Sequence, residues 1–412
     1  MQNWARNLTF NAQEFIEVES VTQLQKIVEK SKKLKVLGTG HSFSEIADTS
    51  GTLINLSKMA SRIDINSQDQ TVKVSAGVSY TDLSRHLEKN GWALPNLASL
   101  GEITIAGAIM TGTHGSGSRN KILSDSVVAI EMILASGEKL SINRKESENF
   151  SGFVVSFGSL GVFTVITLKI IKSFSIKQVV YENVSIQSVA ENFDQIFDSA
   201  YSVSYFSNWS KNNTGQIWMK YLDNDQFPQL ADNKFGGNLA KVNQHPVKVN
   251  DPATCTEQMA VSGKWLYRLP HFKLDSSPAS GEELQTEYLI DRRFVQDYIK
   301  ELMEIGDEIA SRVYATEIRT MSADDLWLSG AYGRKTVGFH FTWKKSADIH
   351  AFLPKVESIL GKKSGRPHWG KLFSTPKEQI SARYPKYQGF KELLGKYDPE
   401  NKFRNNFIEK YF

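Results

Sequence analysis

The stretch Gly38-Thr39-Gly40-His41-Ser42-Phe43 follows a short apolar run, Leu34 to Leu37, and decides how the chain is read. A strand that enters a glycine turn brings backbone amides close to a phosphate, because glycine has no Cβ to hold it away. His41 then lies beside whatever that phosphate belongs to. A second loop of the same character, Thr111-Gly112-Thr113-His114-Gly115-Ser116-Gly117, follows further along. Together the two loops are expected to grip a dinucleotide. The local sequence leaves two roles open for His41, a neighbour of the phosphate or a covalent anchor for the ligand.

The chain has 412 residues, enough for two domains or one large compound domain. Apolar residues make up 40% and charged residues 23%, a globular composition with material for a core. A net charge of +4, from 49 Lys+Arg against 45 Asp+Glu, is too small and too evenly spread to argue for nucleic acid. The single cysteine, Cys255, allows neither an internal disulfide nor a cysteine metal cage, which fits a reducing compartment. The start of the chain, MQNWARNLTFNAQEF, lacks the apolar run of a signal peptide. Ser151 to Leu168 carries no charge, but its glycines, serines, threonines and β-branched tail read as a loop plus a buried strand, not a membrane span. A cytoplasmic monomer with no membrane contact is the expectation.

Ser20-Val21-Thr22-Gln23 resembles a capping box, with Val21, Leu24, Ile27 and Val28 following at helical spacing. Strands are expected at Leu34–Leu37, Leu53–Leu56, Thr71–Ala76 and Val162–Ile171. A helix is expected at Thr81–Asn90 and a hairpin at Val127–Ala135 with Lys139–Ile142. Beyond about residue 175 the pattern predicts long helices at Gln187–Ala200 and Arg292–Ser311. Strands at Gln216–Leu222, Leu284–Ile290, Val313–Arg319 and Val337–Trp343 complete an α+β pattern with a mostly antiparallel sheet. Residues 223–282 read as surface loops.

Period-2 reading of those later strands is the second informative signal. Val337, Phe339, Phe341 and Trp343 share one face, and Gly338, His340 and Thr342 share the other. Glu317 and Arg319 share a face, as do Gln285 and Glu287. Two readings are open for this polar side: a solvated sheet surface, or a wall for a ligand made mostly of hydroxyl groups. The turn Pro367-His368-Trp369-Gly370-Lys371 adds a lysine in an apolar setting, equally open to a structural or a functional role. His86, His245, His271, His350 and His368 show no paired spacing of the HExxH kind, so no catalytic metal is expected.

These residues match a known family. The segments KVLGTGHSFSEIADT, LPNLASLGEITIAGAIMTGTHGSG, SFGSLGVFTVITLKI, YATEIRTMSADDLWLS, VGFHFTW, HWGKLF and YDPENKFRNNF, in this order, resemble the vanillyl-alcohol-oxidase-type flavoproteins, and within them the bacterial alditol oxidases. The resemblance implies a two-subdomain FAD-binding domain (1–175), an antiparallel-sheet substrate or cap domain (176–372) and a C-terminal return segment (373–412). It implies FAD bonded covalently through His41. Cofactor contacts would come from Gly38, Thr39, Gly40 and Ser42, from Ser99, Thr104, Gly107, Ala108, Thr111, Gly112 and His114, and from Gly161, Val162 and Asn405. The absence of a third glycine in GTGHSF disfavours a nicotinamide site.

Substrate groups implied by the resemblance fall on Ser99, Gln285, Glu317, Arg319, His340, Thr342 and Lys371, with Arg319 and Lys371 at the reacting hydroxyl. The implied reaction takes the terminal primary alcohol of an alditol such as xylitol or sorbitol to the aldose, with dioxygen reduced to hydrogen peroxide. An aldonolactone substrate, or a dehydrogenase using another acceptor, are the alternatives. Ala98 does not decide between oxidase and dehydrogenase.

Overall fold

A computed structural model describes residues 1–210, 214–224, 226–276, 281–346 and 348–412. The first part of the chain builds two small sheets and a two-stranded pair, Trp92–Ala93 with Ile171–Lys172. Glu14–Glu17, Thr52–Asn55 and Leu34–Val36 pair in parallel, in that order. Ile63–Asn66, Thr71–Ser75, Val162–Lys169, Val127–Ile133 and Lys139–Asn143 form a five-stranded antiparallel sheet. The Ser20 cap forms as the pattern predicts: its hydroxyl accepts from the Gln23 amide at 3.2 Å. The Gln23 side chain reaches back to accept from Glu19 N at 2.7 Å. The uncharged stretch from Ser151 divides into a short helix, Phe150–Val154, and the buried strand Val162–Lys169. Among the described residues no helix is long and apolar enough to cross a membrane.

Sheet membership changes at Ser175. From there a ten-stranded antiparallel sheet is assembled, with Val313–Met321, Thr336–Lys344 and Glu283–Asp291 side by side near one end. Register aligns their polar residues into rows. Glu317 faces His340, which faces Glu287; Ala315 faces Thr342, which faces Gln285; and Arg319 faces Gly338. The opposite side chains, Val337, Phe339, Phe341 and Trp343, are buried among the helices Val295–Glu304 and Ile349–Leu360. One face of these strands is therefore core, as the alternation predicts. The other is not solvated: Glu287, Glu317 and Arg319 are all buried.

Both long helices expected in this region are broken. Gln187–Ala200 is two short helices, Ile186–Glu191 and Phe193–Phe197, joined at Asn192. The Asn192 side chain donates to Ser188 O at 2.9 Å, a local bond that competes with the helical one. Arg292–Ser311 is a 3₁₀ turn followed by Val295–Glu304 and Gly306–Arg312. The break falls where Gly306 meets the Trp209 carbonyl so closely that a Cβ would lie 2.3 Å from its oxygen. Residues 223–282 are not only loop. Gly237–Leu239 and Ser262–Lys264 pair with the sheet strand Ser175–Val184, and Asn233–Lys234 pairs with the first of them.

The last helices return to the first part of the chain. Leu34 N donates to Lys402 O at 2.8 Å. Lys402 Nζ donates to Val28 O and Ala135 O at 2.6 and 2.7 Å. Phe390, Phe403, Phe407 and Tyr411 share one core with Val28, Leu34 and Phe153. Because Phe341 belongs wholly to the core side of its strand, Phe341→Ala is expected to cost about 3–5 kcal/mol in urea unfolding. The cofactor content of the folded fraction should stay unchanged.

Candidate active site

The cofactor end begins at the Gly38–Phe43 turn. Its carbonyls are occupied by an N-terminal loop: Trp4 N donates to Gly40 O at 2.9 Å. Asn3 Nδ2 donates to Ser42 O at 2.9 Å and Asn7 Nδ2 to Phe43 O at 3.0 Å. Phe43 N donates to Gly370 O at 2.8 Å. Among the described residues none accepts from the amides of Thr39, Gly40, His41 or Ser42. Four successive amides without a protein acceptor form a cradle for an anion. Gly38 has to be glycine for this approach, since a Cβ would lie 2.5 Å from Thr104 Oγ1. The Trp4 ring stacks on His41 with centroids 5.1 Å apart. Burial lowers the His41 pKa to about 4, so its imidazole is neutral and keeps a free nitrogen lone pair.

From this turn a cavity of about 510 Å³ runs to the polar sheet face, lined on the way by Ala98, Ser99, Gly107, Thr111 and His114. At its far wall stand Gln285, Glu287, Glu317, Arg319, His340, Thr342 and Lys371. Arg319 Nη2 donates to Glu287 Oε1 at 2.7 Å, and Arg319 Nε lies 3.5 Å from Glu317 Oε2. His271 Nε2 is 2.9 Å from Glu317 Oε1. Lys371 Nζ donates to Gln285 Oε1 at 2.7 Å and lies 3.7 Å from Glu287 Oε2. His340 Nε2 is 3.1 Å from Thr342 Oγ1. His114 Nε2 is 3.2 Å from Glu287 Oε1 but out of hydrogen-bond alignment. This wall offers donors and acceptors at short intervals in a setting sheltered from water, which suits a polyhydroxy ligand.

The protonation states follow from burial and pairing. Burial is the largest single influence and pushes the Glu287 and Glu317 carboxyls upward, but Arg319 together with the neighbouring histidines, His114 and His340 at Glu287 and His271 and His340 at Glu317, brings both below their ordinary range. Burial works against the Arg319 charge, yet Glu287 and Glu317 raise its pKa on balance. Burial lowers Lys371 to about 8, with Glu287 holding it up. His271 and His340 are lowered to about 4, first by burial.

The structure brings most of the sequence-derived candidates onto one cavity: Gly38 to Ser42, Ser99, Thr104, Gly107, Ala108, Thr111, His114 and all the substrate candidates line it. Four cofactor candidates lie off its wall. Gly112 packs towards Val155 and Ile122. Val162 is a buried sheet residue opposite Ile133, and a Cβ on Gly161 would meet Met132 at 2.5 Å. Asn405 spends its amide on the carbonyls of Glu45, Ile46 and Asp48. Among the lining residues not placed in the site by sequence are Glu287, His271 and His368. Glu287 carried a signal, since it shares a strand face with Gln285. His271 and His368 sit on turns with no periodicity to read. His114, Glu287 and His368 place one potential ligand atom each within 4.8 Å of one another, a convergence from separate elements that linear spacing does not show. Arg319 already holds the carboxylate of that trio.

Residues 12–143 match the family described as FAD binding domain, and residues 280–411 match that described as D-arabinono-1,4-lactone oxidase. An alditol oxidase from a Streptomyces species is 37% identical over 98% of this chain and 97% of its own length. The chain belongs to the vanillyl-alcohol-oxidase-type flavoproteins. This flavoprotein is also similar to the L-gulonolactone oxidase of Mus musculus, at 26% identity over 100% of this chain and 98% of the relative. Among solved structures, cholesterol oxidase from Brevibacterium sterolicum superposes with a TM-score of 0.79 over 100% of this chain and 96% of that one. At 12% identity that likeness speaks to fold alone. The cofactor is FAD and the reaction class is oxidoreduction. The free amides of the Gly38 turn and the cavity leading from it fit a flavin dinucleotide.

The neutral histidines make the fold acid-sensitive. An unfolded chain protonates near 6.5, while His271 and His340 take protons only near 4. The unfolded state therefore binds more protons in between, and stability must fall as pH drops through that window. Tm is expected to decline from pH 6.5 towards pH 4, with the paired carboxylates adding to the fall below about pH 5. A flat Tm over that range contradicts the assignment of neutral imidazoles.

Proposed function

We propose that this flavoprotein oxidises the terminal primary alcohol of an alditol, such as xylitol or sorbitol, to the aldose, reducing dioxygen to hydrogen peroxide. The observation that carries this reading is the sheltered wall of Gln285, Glu317, Arg319, His340, Thr342 and Lys371 facing the cavity. A polyol buries one hydroxyl on every carbon, and each needs a partner when water is excluded. Similarity to an alditol oxidase over nearly the full length adds support.

Arg319 and Lys371 are assigned to the reacting hydroxyl. Two cations there stabilise developing alkoxide charge. Arginine stays protonated and acts as an electrostatic partner, whereas a lysine near 8 can also hold the hydroxyl proton. Ser99, Gln285, Glu317, His340 and Thr342 orient the remaining hydroxyls. Bound FAD supplies the hydride acceptor and the route of electrons to oxygen. His41 is assigned as its covalent anchor, consistent with a neutral imidazole beside the cradle.

A second reading is an aldonolactone as substrate, favoured by the match of residues 280–411, which spans nearly all of the polar wall, to a lactone oxidase family. Anaerobic bleaching of the flavin by a panel of alditols and aldonolactones, followed by peroxide release in air, decides between them. Xylitol or sorbitol is expected to bleach fastest. Bleaching by lactones alone removes the alditol reading. Lys371→Met should slow anaerobic reduction by roughly 10²–10³-fold, the usual cost of one preorganised donor, while FAD content stays the same. Acid-precipitated wild-type protein should remain yellow and His41→Ala should lose its colour. A colourless wild-type pellet excludes the covalent tether.

A further inference from the structure

Glu287 is a fully buried carboxylate at which five elements meet. Its own strand, Glu283–Asp291, also carries Gln285 and Glu283. The strand Val313–Met321 brings Arg319 Nη2 to 2.7 Å of Oε1, with Glu317 beside it. Thr336–Lys344 brings His340 Nδ1 to 3.7 Å of Oε2. The turn after Arg366–Pro367 brings Lys371 Nζ to 3.7 Å of Oε2 and places His368 close by. From the other side His114, in the Thr111–Gly117 loop, reaches Oε1 at 3.2 Å.

The backbone is shaped around this group. Gly338 sits in mid-strand opposite Arg319, where glycine weakens a sheet and normally marks a close approach. A Cβ there would lie 3.0 Å from Glu287 Oε1 and 3.6 Å from His114 Cε1. The glycine leaves the space in which carboxylate and imidazole meet.

The neighbours also show what Glu287 does. Glu317 is the other carboxylate near Arg319, but it stands 3.5 Å from Nε and is engaged by His271 at 2.9 Å. Lys371 donates to Gln285, which is neutral, so that bond supplies no counter-charge. Glu317 and Glu283 also raise the Lys371 pKa, each less than Glu287 does, and Glu283 is itself pushed up by its own burial. We propose that Glu287 is the positioning residue of this site: its carboxylate anchors Arg319, whose Nη1 donates in turn to His114 O at 3.4 Å, and supplies the counter-charge beside the Lys371 amine at the cavity wall. The inference rests on the assignment of Arg319 and Lys371 to the reacting hydroxyl only where it concerns rate; the charge relation itself is a property of the resting protein.

The test is a pH titration of the flavin-loaded protein carrying lysine labelled with ¹³C at the ε carbon, read by NMR. The Lys371 resonance is identified by its loss in Lys371→Met. Glu287→Gln is expected to lower the Lys371 midpoint by roughly one to three pH units, the effect of removing an opposite charge within about 4 Å. Glu287→Asp, which keeps the charge but draws it back by one methylene, should move the midpoint part of the way. The Lys371-controlled limb of the anaerobic flavin-reduction profile should shift to lower pH in step with the midpoint.

An unmoved midpoint in whichever variant folds overturns the proposal. A midpoint that moves while the reduction profile stays in place also overturns it, because Glu287 then has no hold on the chemistry. If wild-type flavin is bleached by neither alditol nor lactone, the proposed function fails. The titration still decides the charge relation by itself.

Discussion

Three ionisable side chains, Glu287, Glu317 and Arg319, sit on one buried patch of sheet, with Lys371 reaching it from the turn after Arg366–Pro367, and everything else in the site accommodates them. An unpaired charge at such depth costs several kcal/mol, whereas a paired one is tolerated if its geometry is good. The three-strand register sets that geometry by bringing opposite signs within reach in adjacent rows. The core face behind the strands, filled by Phe339, Phe341 and Trp343, holds the rows in place. Polar function and apolar stability are thus two sides of the same backbone. A register slip of one residue would exchange them.

Sequence alone carried much of this arrangement. Alternation placed Gln285, Glu317, Arg319, His340 and Thr342 on faces opposite apolar residues, and the structure turns all five towards one cavity. Period-2 patterns survive because each strand's side-chain directions are fixed locally. The pattern left open whether the polar face meets water, because burial of that face depends on the packing of distant segments. His271 is the instructive case. The turn that carries it is held by Lys220, which donates to Pro270 O at 3.0 Å from a strand fifty residues earlier, and by Thr256 N, which donates to His271 O at 3.0 Å. No local rule reports such a bond.

The broken helices make the same point from the other direction. The apolar spacing of Arg292–Ser311 is helical throughout, and both halves do form helix. The break falls beside Gly306, which packs against the carbonyl of Trp209, a residue in the left-handed conformation at φ 67. Helical periodicity reports which face is buried and says nothing of a neighbour that demands a kink. Asn405 lies off the cavity wall for a third kind of reason. Motif similarity marks it as a cofactor contact, while its amide is fully used in tying the C-terminal helix to Glu45, Ile46 and Asp48.

The Gly38 turn is closed by Gly370 O on Phe43 N, and next to it Ser44 Oγ donates to Trp369 O across 325 residues of sequence. The turn that comes early in the chain therefore finds its last partner near the other end. During synthesis the nascent chain holds the glycines and His41 long before it holds the segment that seats them, and contacts of such separation form late in folding. The Gly38 turn therefore lacks these two partners until the segment around Trp369 and Gly370, 325 residues after Ser44, has been made.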